Sequence, residues 1–197
     1  MNDELIKSCK AAEITKYSAG DTIFRVGELP LYYHQISQGS VKLLSKSSGA
    51  KELIQEIRQQ DQSIAEFTLF VDDSYPMTAV AITDCIIIKL PIADFLLLMI
   101  KHPEINMHVL RNMSVSLHYK FLMADVYFKQ NTADKVMVLL DYLKRKHSDH
   151  TPYSFPVLLT RQEIANLTGM RVETVIRTIK KMEKQQILKI IDRKIFY

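Results

Sequence analysis

The sequence predicts an α+β chain. Its parts are an N-terminal antiparallel β-rich part, either a sandwich or a roll of the double-stranded β-helix or jelly-roll type, one long helix, and a C-terminal helix-turn-helix backed by a short β-hairpin. Three observations predict it. Short β-type runs separated by Gly, Ser, Asp and Pro fill Tyr17 to Leu90. The stretch from His102-Pro103 to Lys129 has no Gly or Pro after its first turn, and a capping signature at Thr160 opens two amphipathic segments hinged at Gly169.

The roll is read from runs at 21–26, 32–37, 41–45, 52–57, 77–82 and 85–90, with Gly20, Gly27, Gly39 and Gly49 at the turns. Residues 91–100 favour a short helix, and Pro103 suits the first turn of the long one. That helix carries two apolar stripes, one of Val109, Leu110, Met113, Leu117, Met123, Ala124 and Tyr127, the other of Val115, Leu122 and Val126. One would cover the chain's own roll and the other would meet a second copy. The predicted dimer seam is Val109, Leu110, Met113, Leu117, Ala124 and Tyr127, with Leu110, Leu117 and Ala124 at sevenfold spacing. Asn131 or Thr132 offers an N-cap for a further helix from Asp134 to Lys146, whose apolar face is Val136, Leu139, Leu140 and Leu143. The division expected is therefore a sensor-like roll at 1–101, a dimerisation helix at 102–130 and a third part at 131–197.

A chain of 197 residues and 22.8 kDa accommodates two modest cores, and 47% hydrophobic with 24% charged residues is a globular composition. The longest apolar stretch, 93–100, falls far short of the roughly 20 residues that span a bilayer. The first residues lack the basic tip and apolar run of a secretory leader, so a cytoplasmic protein without a membrane partner is expected. Cys9 and Cys85 are too far apart for a close-spaced metal motif, and His34, His102, His108, His118, His147 and His150 show no ligand spacing. With no phosphate-cradling glycine loop and no nucleophile elbow, an enzyme is not expected. Residues 131–197 hold 13 Lys/Arg against 7 Asp/Glu, while residues 1–130 hold 13 against 15. The tail is thus suited to a polyanion.

The segment TRQEIANLTGMRVETVIRTIKKMEK from Thr160 carries the most specific signal. Thr160 and Glu163 form a capping box that starts a helix at Arg161, Ile164, Ala165 and Leu167 face inward, and Gly169 suits a tight turn. The second helix buries Val175, Ile179 and Met182 and turns Val172, Glu173, Ile176, Arg177, Lys180, Lys181 and Lys184 outward. Arg177 has the fork that matches guanine O6 and N7, and Glu173 one turn earlier can accept from a cytosine amino group and brace the arginine. Behind it, 187–191 and 195–197 are β-type runs joined by Asp192-Arg193-Lys194. Base reading is assigned to Glu173 and Arg177, flanked by Val172 and Ile176, and phosphate contact to Arg161, Arg171, Lys180, Arg193 and Lys194.

TRQEIA from Thr160, Gly169 and VETVIR from Val172 resemble the winged helix-turn-helix of the Crp/Fnr family of bacterial transcription regulators. GDTIF from Gly20, Gly27-Glu28 and ISQGSVK from Ile36 resemble that family's cyclic-nucleotide-binding-type roll. The resemblance implies a homodimer on a near-palindromic duplex and, for an activator, contact with RNA polymerase. Val172 at the site preceding the base-reading glutamate resembles the Fnr branch, whose half-sites look like TTGAT. Ile176 departs from the serine of that branch, and Arg171 stands where a capping hydroxyl is expected.

The same resemblance places an effector pocket at Ala65, Glu66, Phe67, Met77, Thr78, Lys120 and Phe121. The family's phosphate-binding arginine falls on Met77 and its base-contacting hydroxyl pair on Lys120 and Phe121. A cyclic phosphate there would lack a charge-assisted bond worth roughly 1.5–3 kcal/mol. Cyclic AMP is accordingly disfavoured, two thiols cannot supply the four ligands of an Fnr-type iron–sulfur cluster, and no cofactor is expected. The alternative is an effector-binding or protein-interaction module with vestigial DNA binding.

Overall fold

The computed structural model describes Ile6 and residues 9–46, 52–145 and 147–197. Gly49, the proposed helix end at Lys146 and the first five residues lie outside the described residues. Contacts divide the chain into two compact units, Met1–Leu117 and His118–Tyr197, so the division falls inside the long helix and ahead of the boundary expected between residues 130 and 131.

In the first unit, β1 (Glu13–Tyr17), β7 (Cys85–Pro91) and β3 (Tyr32–Gln38) form one antiparallel sheet in the order β1-β7-β3. A second sheet runs β2-β6-β4-β5, from β2 (Thr22–Phe24), β6 (Thr78–Ala81), β4 (Ser40–Lys46) and β5 (Glu52–Gln59). Phe24, Ile36, Val41, Leu43, Ala79, Ala81 and Ile87 fill the roll. On the outer face, α1 (Ile92–Lys101) and the start of α2 (Pro103–Phe128) bury Phe95, Leu98, Ile105 and Val109 against Tyr33, Ile88 and Leu90. The Tyr33 and Phe95 rings stack at 3.9 Å. β3 and β7 are therefore covered on both faces, which is why Cys85–Leu90 is a nearly continuous apolar run rather than an alternating one. Strand β1 was not foreseen, because EITKY is polar enough for its edge position and shows no apolar alternation.

In the second unit, Asn131 caps α3 (Thr132–Lys144) by accepting from the Ala133 amide at 3.0 Å. Then follow β8 (Pro156–Val157), α4 (Arg161–Thr168), α5 (Val172–Lys184), β9 (Lys189–Ile191) and β10 (Lys194–Phe196), with the strands ordered β8-β10-β9. Two-residue β8 is too short to leave a periodic signal. Val136, Leu139, Leu140, Ile164, Val175, Ile179, Met182 and Ile195 are buried.

The predicted dimer seam needs correction. Val109 is buried and Met113 packs against the same apolar cluster, so neither faces outward. The Tyr127 ring lies under Gly169 and its hydroxyl points to the Leu167 carbonyl at 3.4 Å. Leu110, Leu117 and Ala124 of the expected seam are exposed, and with Met107, Ser114, Phe121 and Phe128 they make a row spaced alternately three and four residues apart along α2.

Candidate nucleic-acid interface

The interface is built from α4 upward. The Thr160 hydroxyl accepts from the Glu163 amide at 3.1 Å and the Glu163 carboxylate accepts from the Thr160 amide at 2.7 Å, closing the capping box. Gly169 ends the helix at φ 68°, a left-handed setting that an L side chain adopts only with strain. Arg171 precedes α5 in extended conformation with no side-chain cap, consistent with the missing hydroxyl at that position. Helix α5 then buries Val175, Thr178, Ile179 and Met182, and the Thr178 hydroxyl donates to that of Thr132 at 2.9 Å. Its inner face is thereby pinned by packing and one polar bond.

The outer face of α5 presents Glu173, Ile176, Arg177, Lys180, Lys181 and Lys184 to solvent, while Val172 is half-buried. Arg177 is not braced by the Glu173 carboxylate as expected. Its Nε approaches the Glu173 backbone carbonyl at 3.4 Å, leaving the carboxylate and the rest of the guanidinium to solvent. The hairpin behind α5 turns through Asp192 and Arg193, both at positive φ (48° and 64°), the setting of a tight two-residue turn. Arg193 and Lys194 are exposed at its tip. Arg161, assigned to phosphate from sequence, is half-buried and donates from Nη1 to the Arg193 carbonyl at 2.6 Å, so that part of its fork joins α4 to the hairpin. Arg171 and Lys180 are exposed.

A capped helix, a left-handed glycine turn and a second helix with a basic outer face, followed by a hairpin, make a winged helix-turn-helix, here in a chain that also carries a β-roll. Residues 14–102 match the cyclic nucleotide-binding domain family and residues 136–196 match the Crp-like helix-turn-helix domain. The chain belongs to the Crp/Fnr family of transcription regulators. Among its relatives is the cAMP-activated global transcriptional regulator CRP of Salmonella typhimurium, 28% identical over 177 residues, or 89% of this chain and 84% of that protein. The fumarate and nitrate reduction regulatory protein of Vibrio cholerae is 23% identical over 87% of this chain and 69% of that protein. The fold is shared with the c-di-GMP responsive global regulator CLP of Xanthomonas campestris, at a TM-score of 0.80 and 18% identity over 98% of this chain and 96% of that one. This chain is thus a DNA-binding, non-enzymatic Crp/Fnr regulator. Among the described residues no helix is long and apolar enough to cross a membrane.

In this Crp/Fnr roll the predicted pocket residues are not one open set. Ala65, at φ 53°, opens the short 3-10 turn Glu66–Phe70, and Ala65, Phe67 and Met77 pack into the roll's apolar cluster. The half-buried Thr78 hydroxyl accepts from the Val26 amide at 3.1 Å. Lys120 and Phe121 fall in the second unit, the former half-buried and the latter 69% exposed. Glu66 is buried, and sequence reasoning missed what meets it. Arg58, on the inner face of β5, places Nη2 3.7 Å from Glu66 Oε1 and Nε 3.3 Å from Glu56 Oε1. The missed signal was the alternation of Ile54, Glu56 and Arg58, all buried on one face of β5.

Burial is also decisive at His34, whose imidazole pKa is lowered from 6.5 to about 3 by desolvation and then by the Lys89 charge. A hydrogen bond with the Tyr32 backbone opposes the shift only in part. The ring is neutral throughout the physiological range and is not a charged site residue.

Proposed function

We propose that this regulator acts as a homodimer, inserting its two copies of α5 into successive major grooves about 34 Å apart on a near-palindromic site with TTGAT half-sites. The observation that carries this reading is the outer face of α5, where Glu173 and Arg177 stand one turn apart and exposed among three lysines. Arg177 reads guanine, Glu173 accepts from cytosine, and Ile176, 40% exposed, meets a thymine methyl. Arg171, Lys180, Arg193 and Lys194 hold phosphates and set the salt dependence. The dimer forms through the exposed row on α2, where Leu117 and Phe128 are 58% and 87% exposed, values unusual for large apolar side chains without a partner. Cyclic AMP is not the effector, since buried Met77 offers its phosphate no charge. A DNA-binding regulator of this kind works in the cytoplasm.

The test is a titration of a TTGAT-type palindrome at fixed salt. Arg177→Ala weakens specific binding by roughly 1–3 kcal/mol and leaves binding to scrambled duplex nearly unchanged. Equal affinity of wild type and variant for palindrome and scramble refutes the reading.

A further inference from the structure

The interior of the roll holds a chain of charges that the DNA-binding surface does not use. Glu56 and Arg58 on β5, Glu66 at the start of the 3-10 turn and Ser116 on α2 are each 6% exposed or less. Arg58 lies between the two carboxylates, and the other oxygen of Glu56 accepts from the Ser116 hydroxyl at 2.7 Å. Both Glu66 oxygens and Arg58 Nε lack an aligned hydrogen bond, so this set is held by charge and depends on every member staying in place.

The chain ends on the helix that bears the proposed seam. Ile105, Val109, Asn112 and Ser116 are spaced four, three and four residues apart and form the roll-facing side of α2. Ile105 and Val109 pack in the apolar cluster, and Asn112 Nδ2 donates to Ser63 Oγ at 3.2 Å. Met107, Leu110, Ser114 and Leu117 lie on the opposite side and are exposed. One residue of rotation, about 100°, would turn that row away from its outward setting. The apolar contacts permit some slippage, whereas a hydrogen bond to a buried carboxylate does not.

We propose that the chain Ser116–Glu56–Arg58–Glu66 is a built-in latch that fixes the rotational setting of α2, presenting the seam row without any bound small molecule. The protein is therefore competent for specific DNA with no effector added. This rests on the DNA-binding reading above, and the test separates the two.

The full chain is titrated on duplexes selected from random sequence, alone and with millimolar cyclic AMP, cyclic GMP or cyclic di-GMP. Ser116→Ala, Glu56→Gln and Ser116→Thr are compared with it, and amide hydrogen exchange of residues 105–117 is followed in the absence of DNA. Wild type binds selected duplexes unaided and the nucleotides shift its Kd by less than about twofold. Ser116→Ala and Glu56→Gln each weaken specific binding about tenfold and speed exchange in that stretch of α2, while Ser116→Thr, which keeps the hydroxyl, restores both. Specific binding that requires an added nucleotide overturns the proposal, as does a Ser116→Ala variant that binds and exchanges like wild type. Should wild type select no duplex, the DNA-binding reading fails and exchange alone decides the latch: unchanged exchange in Ser116→Ala overturns it, and faster exchange rescued by threonine supports it.

Discussion

Replacing His34 by phenylalanine removes one specific term from the acid sensitivity of the roll. His34 lies on β3 at 4% exposure, with the Phe24 ring at 5.5 Å, and Nδ1 has no hydrogen-bond partner. Folded, it accepts a proton only near pH 3, whereas in the unfolded chain it does so near 6.5. Between those values the unfolded state binds the additional proton, so folding stability is fully present above 6.5 and declines as the pH falls towards 3. From pH 7 to pH 5 that single site destabilises the fold by about 2 kcal/mol. Urea unfolding followed by far-ultraviolet circular dichroism at the two pH values measures the loss for wild type and His34→Phe, and carboxylates and other histidines cancel in the difference. The variant is expected to lose about 2 kcal/mol less than wild type over that interval, whatever its own baseline stability. Nuclear magnetic resonance of the His34 ring should show no protonation down to about pH 4. Equal losses in the two proteins, or a His34 resonance titrating near 6.5, would refute the argument.

Three further outcomes are expected. Leu117→Asp and Phe121→Asp convert the proposed dimer to monomer in sedimentation equilibrium and abolish preference for the proposed palindrome, while Val109→Ala leaves association intact and lowers stability by roughly 1–3 kcal/mol. Gly20 and Gly39 have φ of 93° and 94°, but an added Cβ meets nothing within 4 Å at Gly20 and lies 2.5 Å from the Asp84 carbonyl oxygen at Gly39. Alanine at either position carries the left-handed strain of about 1–2 kcal/mol, and only Gly39→Ala adds a clash costing a further 1–3 kcal/mol or so in urea unfolding. Lys194→Ala weakens all duplexes alike and lowers the slope of log affinity against log salt by about 1.

Where sequence and structure agree, the periodicity was carried by packing. The inner residues of α4 and α5 and the capping box at Thr160 are legible because amphipathic spacing and an oxygen-bearing cap are local properties. Of the latch residues, the family resemblance singles out Glu66, while nothing in the sequence singles out Glu56, Arg58 or Ser116. Strand β5 turns Glu56 and Arg58 inward and leaves Leu53 and Ile57 only half-buried, against the binary pattern, and its pairing with β4 shifts register between Leu43 and Leu44. Buried ions leave no apolar signature, so reading them required the register. The contact of Arg161 with the hairpin is hidden from the sequence for a related reason. Its partner is a backbone carbonyl thirty-two positions away, brought near only by the hairpin turn.

The long helix shows how composition can be right while phase is wrong. Its apolar residues were all visible, yet Val109 and Met113 belong to the roll and Met107, Phe121 and Phe128 to the outward row. A row spaced three and four has a mean repeat of 3.5 residues, and a straight helix drifts from it by about 20° per heptad. Over the span from Met107 to Phe128 that amounts to about 60°, enough to carry one end of the row off the seam if the helix were pinned at the other. Ser116 lies close to the middle of α2. Pinning there limits the drift to about 30° towards each end, within what supercoiling around a second copy can absorb. The position of the latch along the helix, and not only its chemistry, is therefore what makes an effector-free seam mechanically reasonable.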